Sequence, residues 1–439
     1  STQYSGYCFS DYSQSYDGFG HGSHVSGIIW SQYTDFDTGV YAGIAPGADI
    51  LSIRVLGLDG TGVYADVIEG IQYVVANKDT YNIQVMNLSL SANATTPYFE
   101  DPLNRAAEAA WANGLVVLAA AGNGGPGSES ITVPGNDPYV ITVGAINDNR
   151  TPGYWADDII PEWSATGPTW DGFAKPDVLA SGAYVVSHMY KDKNNSAKSD
   201  ELVKLHPDNS INDDMFRMSG TSQATAVTSG VVALMLEVNP GLSPDQVKYR
   251  LMVSSRPALT MDAEPDLVYN LLQQGMGRIW APEAVLGTFD ANNHANLNMD
   301  INADLAHDTG WVDANSDGMV QPEELDPNEM AYHYRGRVGR AISDDGQAYL
   351  YYLKDSGPGS TSVRDEFNTI TYSGNDGSQN WFMDWLEIAD DSAASSGQVR
   401  VLNDSHCASG NCLRLGAVNP DDDKNVTGLG VFRLADLAG

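Results

Sequence analysis

Between residues 40 and 290, short apolar runs alternate with longer amphipathic ones, and no other feature restricts the chain's fold as strongly. This is the pattern of a parallel α/β sheet, whose strands are buried on both faces and joined by crossover helices. Residues 50–55, 85–90, 115–121 and 140–145 read as buried strands. Residues 22–29, 63–76, 102–113, 222–238 and 243–253 read as helices, the last opened by Ser243 as N-cap with Pro244 in the first helical position. A charged stretch rich in Asn, Lys and Asp, residues 189–214, breaks the alternation and reads as a surface insertion.

Charge narrows the partners. Fifty-seven acids against 23 bases give a net charge of −34 over 439 residues. A surface so acidic repels phosphates, which argues against nucleic acid or an anionic membrane as partner. The longest apolar stretches, 114–122 and 231–236, fall short of the ~18 residues of a membrane span and read as a buried strand and a core helix. No signal peptide is seen, but a mature secreted protein would also begin without one, so this does not imply the cytoplasm. Of the three cysteines, Cys407 and Cys412 lie close enough to close a small disulfide loop, leaving Cys8 over.

After Gly287 the texture changes. Residues 290–330 are dense in Asp and Asn, and within them Asp313 to Glu324 fits a twelve-position calcium loop. Asp313, Asn315, Asp317 and Glu324 supply oxygens at positions 1, 3, 5 and 12, with Gly318 at position 6. Met319 contributes its carbonyl and Gln321 a side chain or a water. Asp300, Asn302 and Asp304 repeat the alternating oxygens without the glycine and form a weaker candidate. From about 336 the chain reads as strands between polar turns: 347–353, 369–372, 398–402, 412–417 and 430–434. The expected organisation is an α/β domain over 1–288, a Ca2+-binding linker over 289–335 and a β-rich region over 336–439.

Three residues carry chemistry. His21 lies in a glycine-flanked turn at the mouth of a helix, and Ser222 follows a Gly-Thr turn at the start of a long apolar one. A serine oxygen there meets unpaired backbone N–H groups and the positive end of the helix dipole. Taken alone, each has an ordinary structural reading, a helix-start histidine and an N-cap serine. Asn123 ends an apolar strand, where a side chain of a parallel sheet points into the ligand crevice. Its amide can donate to a developing oxyanion, a contact worth ~3–4 kcal/mol in a transition state.

Together these motifs resemble the subtilisin-like serine peptidases, the subtilase family. Gly20 to Gly27 is similar to the family's histidine motif, Ala119 to Asn123 to its oxyanion segment, and Ser219 to Thr225 to its nucleophile motif. The resemblance runs from about residue 15 to 287. It implies a subtilisin-like parallel sheet flanked by helices, with Ser222 as nucleophile, His21 as general base and Asn123 as oxyanion donor. Gly60, Thr61 and Gly62, with Ser89, Leu90 and Ser91, would be the two segments pairing with a polypeptide substrate. Residues 379–397 resemble the start of β-sandwich modules appended to large secreted proteins, so an incomplete sandwich is expected from about 364.

The chain departs from the family pattern at Gln223, Ala226, Ser91 and Ser181, none of them a reacting group. The larger departure is the triad aspartate, which the family carries on a strand about thirty residues before the histidine. Asp11 and Asp17 precede His21 but follow no apolar strand, so neither takes the role. The expectation is an associated N-terminal fragment that supplies strand and carboxylate to a secreted endopeptidase. The competing expectation is a non-catalytic subtilase-fold component of an extracellular assembly.

Overall fold

The computed structural model describes residues 17–33, 43–151, 154–192, 194, 199–259, 267–297 and 299–306, together with the backbone of several short strands elsewhere. Two parallel sheets make up the α/β unit. In the smaller, β1 (Ser5–Cys8) pairs with β2 (Leu51–Arg54), Ser5 opposite Leu51. The larger holds β3 (Val85–Leu88), β4 (Val116–Ala120), β5 (Ile141–Ile146) and β6 (Val178–Ser181), in that order. All its pairs are parallel, with Val85 opposite Val116, Leu118 opposite Ile141 and Val143 opposite Val178. Every residue of β4 and β5 is buried, as continuous apolar runs in a two-sided sheet require.

Helices cover both faces. They are α1 (His21–Trp30), α2 (Tyr64–Tyr81) and α3 (Pro102–Ala112). An antiparallel hairpin, β7 (Val185–His188) with β8 (Met215–Met218), encloses α4 (Glu201–Leu205). Then come α5 (Thr221–Val238), α6 (Pro244–Ser254), α7 (Leu271–Gln274), α8 (Ala281–Leu286) and α9 (Ile301–Ala306). Asp101 caps α3, accepting from the N–H groups of Leu103 and Asn104, and Ser243 with Gln246 forms a capping box on α6. The central helix is α5, packed against β3 to β6 on one side and against α1 on another.

Two expectations gain detail. The insertion lies largely exposed but is anchored. Met189 and Val203 from it form a buried cluster with Phe216, so apolar residues scattered among its charges anchor it. The candidate at 300–304 takes helical rather than loop form. It winds into α9, where Asp304 turns inward and accepts hydrogen bonds from the hydroxyls of Tyr98 (3.1 Å) and Tyr139 (2.7 Å). Among the described residues, no group of three or more His, Cys, Asp or Glu side chains is arranged to hold a metal ion.

Residues Arg337–Ser343 and Tyr349–Gly439 form a separate compact unit. In it Asn380–Trp381 pairs with Ala435–Asp436, Leu386–Ile388 with Gly430–Phe432, and Val399–Leu402 with Cys412–Leu415, all antiparallel. The loop from Asp313 to Glu324, the expected strand at 369–372, and Cys407 lie outside the described residues.

Candidate active site

A Gly-Thr turn delivers Ser222 to the first turn of α5, where the serine is 8% exposed. Backbone N–H groups there lack helical partners, and the helix dipole favours negative charge. At the end of β4, Asn123 is fixed by the residue before the serine. Its Oδ1 accepts from Thr221 N (2.9 Å) and Thr221 Oγ1 (3.1 Å), and Gly122 N donates to Thr221 Oγ1 (3.2 Å). With Oδ1 committed to Thr221, the amide nitrogen is the end left to donate. It lies 3.5 Å from where a Cβ on Gly220 would stand, beside the turn that delivers Ser222. Asn123 and the turn that carries Ser222 are therefore locked into one frame.

Further bonds join that frame to β3. Ser229 Oγ donates to Asn87 Oδ1 (2.9 Å), Asn87 Nδ2 to Ser89 Oγ (2.9 Å), and Ser89 Oγ to the carbonyl of Ser222 (2.9 Å). Ser222 Oγ donates to the carbonyl of Ser89 (3.3 Å), so its described bond runs to the proposed substrate segment and not to His21. Beyond Ser89 the chain passes through Leu90 and the exposed Ser91 to an antiparallel bridge between Ala92 and Val133. The other proposed segment is a turn: Gly57 N donates to the carbonyl of Thr61, and Gly60 holds a φ of 77°. Thr61 and Gly62 are exposed.

His21 opens α1, which packs directly on α5. Burial pushes its imidazole below the ordinary histidine pKa, and the Asp17 carboxylate works against that shift. Among the described residues, no hydrogen bond is made by its ring. Asp17 serves the backbone instead, accepting from Gly20 N (2.9 Å) and Ser23 N (2.6 Å) at the head of α1. Three residues on, burial drives His24 down to about pKa 4. The neutral ring donates from Nε2 to the carbonyl of Phe216 (3.1 Å).

His21 also lines a cavity of about 1150 Å³. All of β2, residues 51–54, and all of β3, residues 85–88, line it as well, together with residues of α1, α2 and α5. These two strands have no pairing with each other, so each presents an unpaired edge to the cavity. Asp11 lies outside the described residues.

The structure thus places Ser222, Asn123 and Ser89 together, with His21 on the adjoining helix. Motif reading assigns no role to Thr221, Asn87 or Ser229, which orient that group. Thr221 and Asn87 both lie inside motif-like stretches, 219–225 and 87–90, and Ser229 lies in neither. Asn87 and Ser229 are 142 positions apart and meet only in the fold.

Fold and site together define a subtilisin-like α/β protein of the serine-peptidase class. Residues 6–278 match the family described as the Subtilase family (Peptidase_S8), and the chain belongs to it. It is 40% identical over 238 residues to the serine protease AprX of Bacillus subtilis (strain 168), covering 53% of this chain and 52% of AprX. It is 32% identical over 237 residues to subtilisin DY of Bacillus licheniformis, covering 54% of this chain and 70% of that one. The solved structure of Sphericase aligns with a TM-score of 0.48 at 23% identity, over 62% of this chain and 82% of its own. The chain spans about half the length of AprX.

Proposed function

We propose that this chain carries the nucleophile and the base of a secreted serine endopeptidase. The observation that supports this most is the Asn123–Thr221 lock, which orients an amide donor beside the nucleophile before substrate arrives. Ser222 Oγ adds to the scissile carbonyl carbon as its proton passes to His21. Asn123 Nδ2 and the Ser222 N–H hold the oxyanion. His21 returns the proton to the amine nitrogen as the C–N bond breaks, and water then hydrolyses the acyl ester by the same route. The edges at Gly60 to Gly62 and Ser89 to Ser91 pair with the backbone of the polypeptide substrate.

In this reading the carboxylate that orients His21 comes from an upstream segment outside this chain, still associated with it. Two observations support that. His21 has no ring hydrogen bond among the described residues, and the cavity it faces lies between two parallel strand edges. A strand seated there would pair with both and join six strands into one sheet of seven. The reading also includes Ca2+ at Asp313 to Glu324, a stabilising role for that loop, and association with other extracellular chains. A fluorophosphonate probe tests it: the Ser222 Oγ–P bond forms as fluoride leaves. Labelling of the complete assembly, abolished in Ser222→Ala, is the expected result, and an assembly inert to the probe is a scaffold instead. Intact mass and N-terminal sequencing of the purified material test for the upstream segment: a second polypeptide or a longer chain is expected, and a lone folded 47.1 kDa species that labels would exclude it.

A further inference from the structure

On the peptidase reading of the site, we propose that the insertion between β7 and β8 is a positioning element for His21, acting through the backbone of α4. The first two N–H groups of α4 are spent on the loop that leads into the histidine. Glu201 N donates to the carbonyl of Gly18 (2.9 Å) and Leu202 N to that of Phe19 (3.1 Å). An isolated helix would leave these donors to solvent. Here they fix the two residues that precede Gly20 and His21.

The contact is close-packed as well as hydrogen-bonded. A Cβ on Gly20 would stand 3.0 Å from Asp200 Cβ and from Met189 Cγ and Sδ, so insertion and histidine loop touch at the glycine. Gly20 holds a φ of 98°, a conformation L side chains avoid, which suits it to that approach. Asp200 is pinned in turn: its Oδ2 accepts from Tyr190 N (2.8 Å), and its own N–H donates to the carbonyl of Tyr190 (3.1 Å). The hairpin holds α1 at two further points. Phe216 of β8 receives the bond from His24, and His188 Nε2 of β7 lies 2.6 Å from Ser31 Oγ.

The same strap reaches the substrate edge. The Phe19 ring lies against Gly60, where a Cβ would meet its Cε1 at 2.5 Å. One loop, held by α4, therefore sets both the base and one wall of the proposed cleft. Loosening it lowers kcat through His21 and raises KM through Gly60, whereas a loss of folded protein would lower activity without moving KM.

The test uses a backbone deletion that spares the helix. Glu201 is the first residue of α4, where proline is tolerated, and Asp200 before it is extended (φ −57°, ψ 150°), as a residue preceding proline prefers. Glu201→Pro in the full assembly removes the donor to Gly18; Glu201→Ala keeps it. The expected result for Glu201→Pro is fluorophosphonate acylation about tenfold slower, with KM for a peptide substrate raised. Glu201→Ala should restore both. Hydrogen exchange of the peptide spanning residues 17–30 reads the strap without activity, and should quicken about tenfold in Glu201→Pro alone. Unchanged exchange and acylation in Glu201→Pro would overturn the proposal, as would an equal loss in Glu201→Ala. An assembly inert to the probe with exchange that responds would instead sink the peptidase reading and leave the strap standing.

Discussion

The two sides of the site are built to different standards. On the nucleophile side Ser222, Asn123, Ser89 and Thr221 are cross-bonded and rest on β4 and β5, whose residues are all buried. On the base side β2 is only half-buried at all four positions, and His21 faces a cavity without a ring hydrogen bond among the described residues. Two sheet edges that could share a strand stand apart there. The difference shows that preorganisation is local. On the proposed reading, the oxyanion frame is set by bonds within this chain, while the orientation of His21 waits on a further element.

The largest effect is expected at Asn123. If the nucleophile side is preorganised, Asn123→Ala slows probe acylation about 10²- to 10³-fold with little change in thermal stability, because the side chain is exposed. Thr221→Val, which removes the hydroxyl that donates to Asn123 Oδ1, should lose a smaller part of the same rate. If both variants label at the parental rate, the frame is not catalytic and the contrast between the two sides loses its functional meaning.

Packing offers the next contrast. Leu118 in β4 is fully buried, and its truncation to Ala should cost about 2–5 kcal/mol in denaturant unfolding. Ile53 in β2 lines the cavity and is half-buried, so Ile53→Ala should cost about 1 kcal/mol or less when the chain is alone. In an assembly with a strand seated beside it, the cost at Ile53 should rise toward that at Leu118. Equal costs in both settings would mean that nothing seats in the cavity.

Much of the better-packed side is legible in the sequence. The continuous apolar runs of β4 and β5 and the capped start at Ser243 are local signals. So are the motifs around Ser222, Asn123 and His21. What escapes is whatever depends on distant partners. Residues 189–214 read as a surface insertion because their charges outnumber their apolar residues, and the anchoring of Met189 and Val203 on Phe216 is not visible in that reading. Aspartate at 200 followed by Leu202, Val203 and Leu205 was the local hint of a short helix. Thr221 has no sequence mark of its bond to Asn123, 98 positions away. Asp304 looks like a metal ligand by spacing and is a hydrogen-bond acceptor for two tyrosines by fold.

The well-packed side also carries a pH liability. Glu108 on α3 is fully buried with no donor to either carboxylate oxygen, and Asp137 lies against it with Oδ2 equally unpartnered. Burial raises both acids, Asp137 to about 7 and Glu108 well above its usual value, with the Asp137 and Asp304 carboxylates adding to the effect on Glu108. The folded state then binds more protons than the unfolded chain above the ordinary carboxylate range, so stability falls as pH rises. Lys175, lowered to about 7 by burial, has the opposite sign, but its window runs upward from 7 toward the usual lysine range. Glu108→Gln keeps the shape of the protonated acid and removes the charge. Its Tm should match the parent near pH 4 and exceed it increasingly through pH 7 and 8, each kcal/mol being worth about 2–4 °C. A parallel pH dependence in variant and parent would show that Glu108 ionises without penalty.

The smallest effect expected lies in the bonds that tie β3 to α5. Ser229→Ala deletes the hydroxyl that donates to Asn87 Oδ1, which should cost about 1 kcal/mol, as for one buried hydrogen bond. The informative readout is what happens downstream. Asn87 still donates to Ser89 Oγ, but its amide is held at one end only, and Ser89 holds the carbonyl of Ser222. A rise in KM larger than the change in kcat would place the effect on the substrate edge, since Ser89 belongs to that segment and the Asn123–Thr221 lock is untouched. A fall in kcat at constant KM would place it on the nucleophile. The first result is expected, because the bond from Ser222 Oγ to the carbonyl of Ser89 yields to substrate, whereas the turn of helix that presents the serine is held independently by α5.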